Sequence, residues 1–265
     1  VDILVYRTTI ANVFPFRPYL YSAKAGYLNT LATQPYDKIS PEMQKDYLAA
    51  SPYNIVRIIL GERFPTDNGE DNVYKRAAGY LERWTAEGIL EQEKEECFYG
   101  YFQEFTIPGT EEKAVRKGFI GLCEVSPYSS GIVHRHEQTL SGPKADRRAL
   151  LEHTKAHFGQ IFVLYPDPEQ QIDRMLDQAA RGEPLGTVTD LYGVVHRIWR
   201  ISDPNTTRLM QQAMADKKLV IADGHHRYET ALAFSEAHPD LPGADRVMMT
   251  FVNIHSPGLK ILATH

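Results

Sequence analysis

The sequence predicts an α+β fold, and three observations lead to that prediction. Residues 97–107 and 113–125 have the pattern of strands, and a Pro-Gly turn at 108–109 joins them as a hairpin. Residues 73–87 have the spacing of an amphipathic helix that ends at Gly88. A boundary near 109–117 predicts an N-terminal α+β portion, 1–112, and a core, 113–265, although one intertwined domain fits the pattern almost as well.

The other elements follow from caps, turns and periodicity. Ser40 as N-cap and Pro41 in the first turn predict a helix over 43–50. The terminal run 258–265 reads as a strand with no partner after it, so we expect the protein to continue beyond His265 and this core to be truncated. The remaining predictions are strands at 54–60, 132–137, 160–165, 191–200, 219–222 and 245–253, and helices at 146–156, 168–181 and from Asp203 to 215.

Composition narrows the class of protein. The 265 residues are 43% hydrophobic, which is enough for a packed core, and the net charge of −5 argues against a nucleic-acid-binding surface. Cys97 and Cys123 form no metal or disulfide motif, and no apolar run reaches the about 18–20 residues of a membrane helix. We therefore expect a cytoplasmic protein whose partners are small molecules, with a homo-oligomer left open.

The densest chemical stretch is Asp223-Gly224-His225-His226-Arg227, between the apolar run 219–222 and an apolar helix face. A helix N-terminus with free N–H groups favours a phosphate, and a guanidinium adds a planar fork for its oxygens. A carboxylate beside them can accept a proton or hold a metal. Taken singly, each residue could have a structural role only, with the aspartate as a helix cap and the glycine at a positive φ. The presence of Asp, His, His and Arg together in one turn favours a ligand-binding site.

A second polar stretch spans residues 134–148. His134 and His136 would point to one side of a strand and could bind a metal together with Glu137, although the spacing is not a zinc signature. Lys144 and Arg148 stand at a helix start, where basic side chains oppose the helix dipole, and an anionic ligand would explain them. A solvated loop explains them equally well.

The loop containing Tyr36 and Asp37 is a third candidate. A tyrosine and a carboxylate held beside Pro35 could contact a ligand. Packing of the tyrosine on the core, with the carboxylate satisfying loop amides, is the interpretation that we favour from the sequence.

Long blocks of the chain resemble a widespread bacterial and archaeal family of uncharacterised proteins. The blocks are residues 35–40, 51–57, 136–147 and 222–232, and they include the run DGHHRYETAL at 223–232. Gln34 departs from the proline that is usual there. Members of that family run beyond the equivalent of His265, which agrees with the expectation of a truncated core.

The turn at 223–227 also resembles one in the ParB/sulfiredoxin-like fold. Sulfiredoxins have a Gly-Cys-His-Arg turn whose helix N-terminus holds ATP phosphates, and free L-serine kinases of that fold have Asp-Gly-His-His-Arg. The resemblance implies a ParB/sulfiredoxin-like nucleotide-binding core in the C-terminal half, and ATP and Mg²⁺ as cofactors. Such kinases need a second carboxylate to activate the serine hydroxyl, and Glu137 is our candidate for it.

These expectations combine into an ATP-dependent kinase for a small hydroxylated metabolite, with free L-serine preferred. Two alternatives stay open: a metal-dependent hydrolase or phosphatase built from the histidines and Asp223, and a nucleotide-binding regulator without catalysis. In the kinase, the residues have three roles. The acid–base or phosphoryl-contacting residues are Asp223, Glu137, His225 and His226; the nucleotide-binding residues are Gly224, Arg227, Lys144 and Arg148; and Asp223 is the metal ligand.

Overall fold

The computed structural model describes residues 11–137 and 141–260, apart from the side chains of 141–143. The chain is α+β, as the sequence predicts. The helices of the described residues are α1 (Pro41–Ala50), α2 (Val56–Ile59), α3 (Val73–Ala86), α4 (Ser141–Thr154), α5 (Gln171–Ala179), α6 (Pro204–Met214) and α7 (His225–Ala237). The strands are β1 (Val13–Phe14), β2 (Tyr19–Tyr21), β3 (Leu90–Gln92), β4 (Phe98–Thr106), β5 (Lys113–Glu124), β6 (Val133–His134), β7 (Ile161–Tyr165), β8 (Gly186–Thr189), β9 (Val195–Ile201), β10 (Leu219–Asp223) and β11 (Arg246–Asn253).

One mixed sheet dominates the described residues. Its strand order is β6-β10-β7-β11-β5-β4-β9-β8, with β1 added beside β5, and β2 and β3 form a separate pair. Two neighbouring pairs are parallel, β6 with β10 and β7 with β11, and the other pairs are antiparallel. The predicted hairpin of β4 and β5 is confirmed, and these strands pair directly across the boundary predicted at residue 112.

Aromatic side chains of the central strands pack against one another on the core face of the sheet. The Phe119 ring on β5 stacks on Phe251 of β11 at 4.7 Å and meets Phe98 edge-on at 5.4 Å. All three rings are fully buried. Burial of such side chains stabilises a core by roughly 1.5–3 kcal/mol each, so this cluster anchors the middle of the sheet.

A second core joins the N-terminal helices to α4. Trp84 on α3 is buried among Ile58, Ala77 and Leu150, and Leu150 belongs to α4. The next residue, Leu151, packs with Phe234 of α7 instead. Helix α4 therefore lies between the N-terminal helices and α7, and it packs against both.

Local signals in the sequence explain most elements. The Ser40 side chain accepts a hydrogen bond from Met43 N–H and Pro41 opens α1, as predicted. The strand predicted at 54–60 is wrong, because this segment contains α2. The buried Asn54 side chain accepts a hydrogen bond from Val56 N–H at 2.9 Å and thereby starts a helix in a β-branched run.

The strand predicted at 191–200 begins later than expected. Asp190 Oδ1 accepts hydrogen bonds from the N–H groups of Tyr192 and Val194, each at 2.9 Å, and Gly193 has a φ of 76°. This turn joins β8, which the sequence pattern did not predict, to β9. Most of the strand predicted at 258–265 lies outside the described residues. No helix in the described part of the chain has the length and apolar character needed to cross a membrane.

Gly118 is the glycine whose replacement tests this packing most directly. A Cβ at Gly118 would lie 2.6 Å from the carbonyl oxygen of Phe251, so Gly118→Ala forces β5 away from β11. We expect a loss of roughly 1–3 kcal/mol in the free energy of unfolding, measured by denaturant titration. Gly79→Ala is the control, because a Cβ there meets nothing within 4 Å on helix α3. That variant should gain about 0.5–1 kcal/mol, and equal stability of the two variants would contradict the prediction.

Candidate phosphate and acceptor site

The predicted turn at Asp223 and Gly224 joins β10 to α7. Gly224 has a φ of 96°, in the left-handed region that favours glycine, and the register of β10 against β7 shifts between Ile221 and Asp223. Helices α1, α3 and α6 are capped by the side chains of Ser40, Asn72 and Asp203. The N-cap residue of α7 is instead Gly224, which has no side chain to cap the helix. The N–H groups and the dipole of a helix start favour an anion.

Parallel pairing brings Glu137 to the same place. Val220 on β10 pairs with His134 on β6, and three residues further along each chain come Asp223 and Glu137. Because the carboxyl ends of parallel strands lie at one edge of a sheet, both carboxylates reach the start of α7. Both also act electrostatically on the His225 imidazole.

His225 is buried behind Glu137. Its Nδ1 lies 3.0 Å from Glu137 Oε1, and its Nε2 accepts a long hydrogen bond of 3.4 Å from the backbone N–H of His136. Burial lowers the pKa of His225, and the Glu137 carboxylate opposes that effect. Because Nε2 is the acceptor, the neutral ring has its proton on Nδ1, which lies near the Glu137 carboxylate but is not aligned for a hydrogen bond to it. The His225 side chain is 0% exposed and Glu137 is 54% exposed, so the carboxylate faces solvent and the imidazole positions it.

Arg227 is held in place by its own turn. Its Nη2 donates to Asp223 Oδ2 at 2.6 Å, and its Nη1 donates to the carbonyl oxygen of Gln160. The guanidinium carbon lies 3.1 Å from where a Cβ on Gly224 would stand. A side chain at Gly224 would therefore displace Arg227 as well as strain the backbone.

The other histidines do not form a metal cluster in the described residues. His134 is exposed, and the His136 ring packs edge-on against His225 with centroids 4.6 Å apart. His226 is half-buried in the first turn of α7. No group of three His, Cys, Asp or Glu side chains among residues 11–137 and 144–260 is arranged to hold a metal ion.

The two basic residues predicted at the start of α4 have protein partners. Lys144 Nζ donates to Glu229 Oε2 at 2.5 Å, which ties α4 to α7. Arg148 Nε lies 3.7 Å from Glu152 on the same helix. The neighbouring Arg147, another basic residue of this predicted helix start, lines a cavity beside Arg227.

This cavity of about 80 Å³ lies between α4, α7 and the N-terminal loop. Tyr36 contributes to its wall, with the Arg147 guanidinium 4.0 Å from the ring centroid. Thr230 of α7 also lines it, and the Thr230 hydroxyl is buried without a hydrogen-bond partner in the described residues. We call the surface formed by Tyr36, Arg147, Arg227 and Thr230 the arginine cavity.

Two arginines determine the charge of the arginine cavity. Arg147 donates to Asp146 Oδ2 through Nε at 2.9 Å and Nη2 at 2.5 Å, and to the carbonyl oxygen of Ile59 at 2.9 Å. Burial lowers the pKa of His157, also in the wall, to about 4, so this imidazole is neutral at pH 7. Burial raises the pKa of Tyr36, which keeps its hydroxyl protonated.

Sequence reasoning found the α7 turn but not the whole cavity. Tyr36 was expected to pack on the core, and it is instead only half-buried against Arg147. Thr230 lies within the same motif as Asp223 and was not assigned a role. Thr230 lies seven residues after Asp223, inside the helix that the turn starts. It also lies three residues after Arg227, and residues at spacing i, i+3 share one face of a helix, so this spacing could have identified Thr230.

Comparisons with known proteins give a family without a function. A search of curated proteins and a search of solved structures found no match. The family model described as "Protein of unknown function (DUF1015)" matches residues 13–265. That span is nearly the whole chain and includes the α7 turn, Glu137 and the arginine cavity, so the chain belongs to this family.

Proposed function

We propose that this protein is an ATP-dependent kinase that phosphorylates the hydroxyl of a small metabolite, with free L-serine as the preferred acceptor. The observation that carries the proposal is the Glu137 carboxylate, which lies 3.0 Å from buried His225 where α7 begins after Gly224. The site thus combines a place for phosphates with a positioned base. The likeness of the turn to that of ParB/sulfiredoxin-like serine kinases supports the same assignment.

The phosphates of ATP would bind at the start of α7. Backbone N–H groups of Gly224, His225 and His226 supply donors, and the positive end of the helix dipole favours their negative charge. Arg227, already pinned by Asp223, adds a guanidinium beside them. His226 is the imidazole that contacts the phosphates in this arrangement, because His225 is turned into the protein.

The chemical step needs one proton acceptor. Glu137 takes the proton of the acceptor hydroxyl as its oxygen attacks the γ-phosphorus. The bond from that phosphorus to the β-bridging oxygen breaks, and the products are ADP and the phosphorylated acceptor. Positioning and charge stabilisation by Arg227 and the α7 amides lower the barrier further.

The residues present suit Mg²⁺ bound together with the nucleotide. Mg²⁺ in nucleotide sites takes one or two protein carboxylates plus phosphate oxygens and water, and the Asp223 carboxylate is 61% exposed at the turn. Asp223 would hold the ion, which when bound supplies positive charge next to the phosphates. Asp223 also keeps Arg227 in place, so it orders the site in either role.

A screen of ATP consumption across amino acids, with mass spectrometry of the products, tests the proposed activity on the full-length protein. O-phosphoserine formed in equal amount with ADP is the expected result. ATP hydrolysis without a phosphorylated acceptor, or no use of ATP at all, would contradict it.

Gly224→Ala should weaken Mg·ATP binding, because the new Cβ strains the left-handed backbone and displaces Arg227. We expect at least a 10-fold increase in Kd by isothermal titration, corresponding to about 1.4 kcal/mol. Gly193→Ala is the control, since its φ of 76° imposes similar strain on a turn whose Cβ position is open. A Kd that changes equally in both variants would point to general destabilisation.

Glu137→Gln should remove the proposed base and leave the nucleotide site intact. We expect kcat to fall by roughly 10²–10⁴-fold with little change in the KM for ATP. Glu236→Gln is the matched control, because Glu236 is exposed near the other end of α7. A wild-type kcat for Glu137→Gln would exclude Glu137 as the base.

His225→Asn and His225→Gln separate positioning from simple packing. The Asn amide nitrogen stands where Nδ1 does and keeps a donor group beside Glu137, whereas the Gln amide nitrogen stands near Nε2. We expect His225→Asn to keep at least 10 times the kcat of His225→Gln, with equal KM for ATP. Equal kcat values would show that a donor group beside Glu137 does not matter.

A further inference from the structure

We infer that the arginine cavity binds the carboxylate of the acceptor, so that the substrates are small hydroxy acids that bear a carboxylate. This inference rests on the proposed kinase activity and adds a subsite to it. It names Thr230, Arg147 and Tyr36 as the residues that select the acceptor. None of the three was a site residue in the sequence-based prediction.

The Thr230 hydroxyl is the first observation. The residue is 6% exposed and lines the cavity, and its Oγ1 has no hydrogen-bond partner within the described residues. A buried hydroxyl without a partner costs free energy, because its hydrogen bonds to water are lost and not replaced. A ligand oxygen in the cavity would supply the missing acceptor.

Arg147 is the second observation. It uses three of its five N–H donors within the described residues, two on Asp146 and one on the Ile59 carbonyl oxygen. Asp146 also accepts a hydrogen bond from Arg63 at 2.6 Å, so one carboxylate is shared by two guanidinium groups. Arg147 therefore keeps donors and uncompensated positive charge, which suit a carboxylate.

Geometry connects the cavity to the phosphate end of α7. Thr230 is five residues beyond His225, which corresponds to about 7.5 Å along a helix axis. The Arg227 guanidinium spans that distance, since it packs over Gly224 and also lines the cavity. An acceptor whose carboxylate is held by Arg147 and Thr230 would extend its hydroxyl along Arg227 towards the start of α7.

The charge of the cavity limits the acceptor. The cavity is small, about 80 Å³, and Leu150, Leu151 and Phe158 line its apolar side. The site should thus accept L-serine and accept ethanolamine poorly, because that amine has no carboxylate.

Thr230→Val tests the subsite with minimal disturbance, because it has nearly the same shape and removes a hydroxyl that has no partner in the protein. We expect the Kd and KM for L-serine to rise by about 10-fold, the worth of one hydrogen bond to a charged group, with melting temperature and ATP affinity unchanged. Thr207→Val is the control, as Thr207 is a buried threonine on α6. It should leave the Kd and KM for L-serine at their wild-type values.

The readouts separate the two proposals. Calorimetric titration with L-serine and with ethanolamine needs no ATP, whereas product analysis does. Weaker L-serine binding by Thr230→Val, with no O-phosphoserine from ATP, would keep the subsite and remove the kinase. O-phosphoserine production with unchanged KM in Thr230→Val, or wild-type protein that binds ethanolamine as tightly as L-serine, would overturn the subsite. Absence of both L-serine binding and product would overturn both.

Discussion

The parallel pairing of β10 with the short strand β6 is the interaction on which the candidate site depends. Without it, Glu137 and Asp223 would be separated by 86 residues of chain with nothing to bring them together. Only two residue pairs define this contact, Leu219 with Val133 and Val220 with His134. The side chains of Leu219 and Val133 are buried in the hydrophobic core, and their burial stabilises the pairing of β6 with β10.

Residues in the first two turns of helix α7 contribute to two different surfaces. On one side buried His225 holds Glu137, and on the other Arg227 and Thr230 face the arginine cavity. Gly224 makes both possible, because its left-handed backbone turns the chain sharply and leaves room for the Arg227 guanidinium. The same few residues therefore determine the shape of the α7 turn and of the arginine cavity.

The N-terminal portion contributes to the site through α4. The Trp84 core fixes α4 from one side, and α7 packs on it from the other through Leu151 and Phe234. Arg147 extends from α4 into the gap, where Tyr36 from the N-terminal loop lies against it. The packing of α4 in the Trp84 core therefore determines where Arg147 lies in the arginine cavity.

The sequence by itself determined the local elements of this protein: the capped start of α1, the hairpin of β4 and β5, and the turn from β10 into α7. Each is specified by neighbouring residues through caps, alternation or a glycine at positive φ. Tertiary structure decided the rest. The segment predicted as a strand at 54–60 contains a helix, because the Asn54 side chain accepts a hydrogen bond from Val56 N–H and donates one to the Thr30 carbonyl oxygen. Tertiary structure also placed His225 behind Glu137, and Arg147 beside Tyr36 and Thr230, since these pairs join residues 83 to 111 positions apart that no local pattern relates.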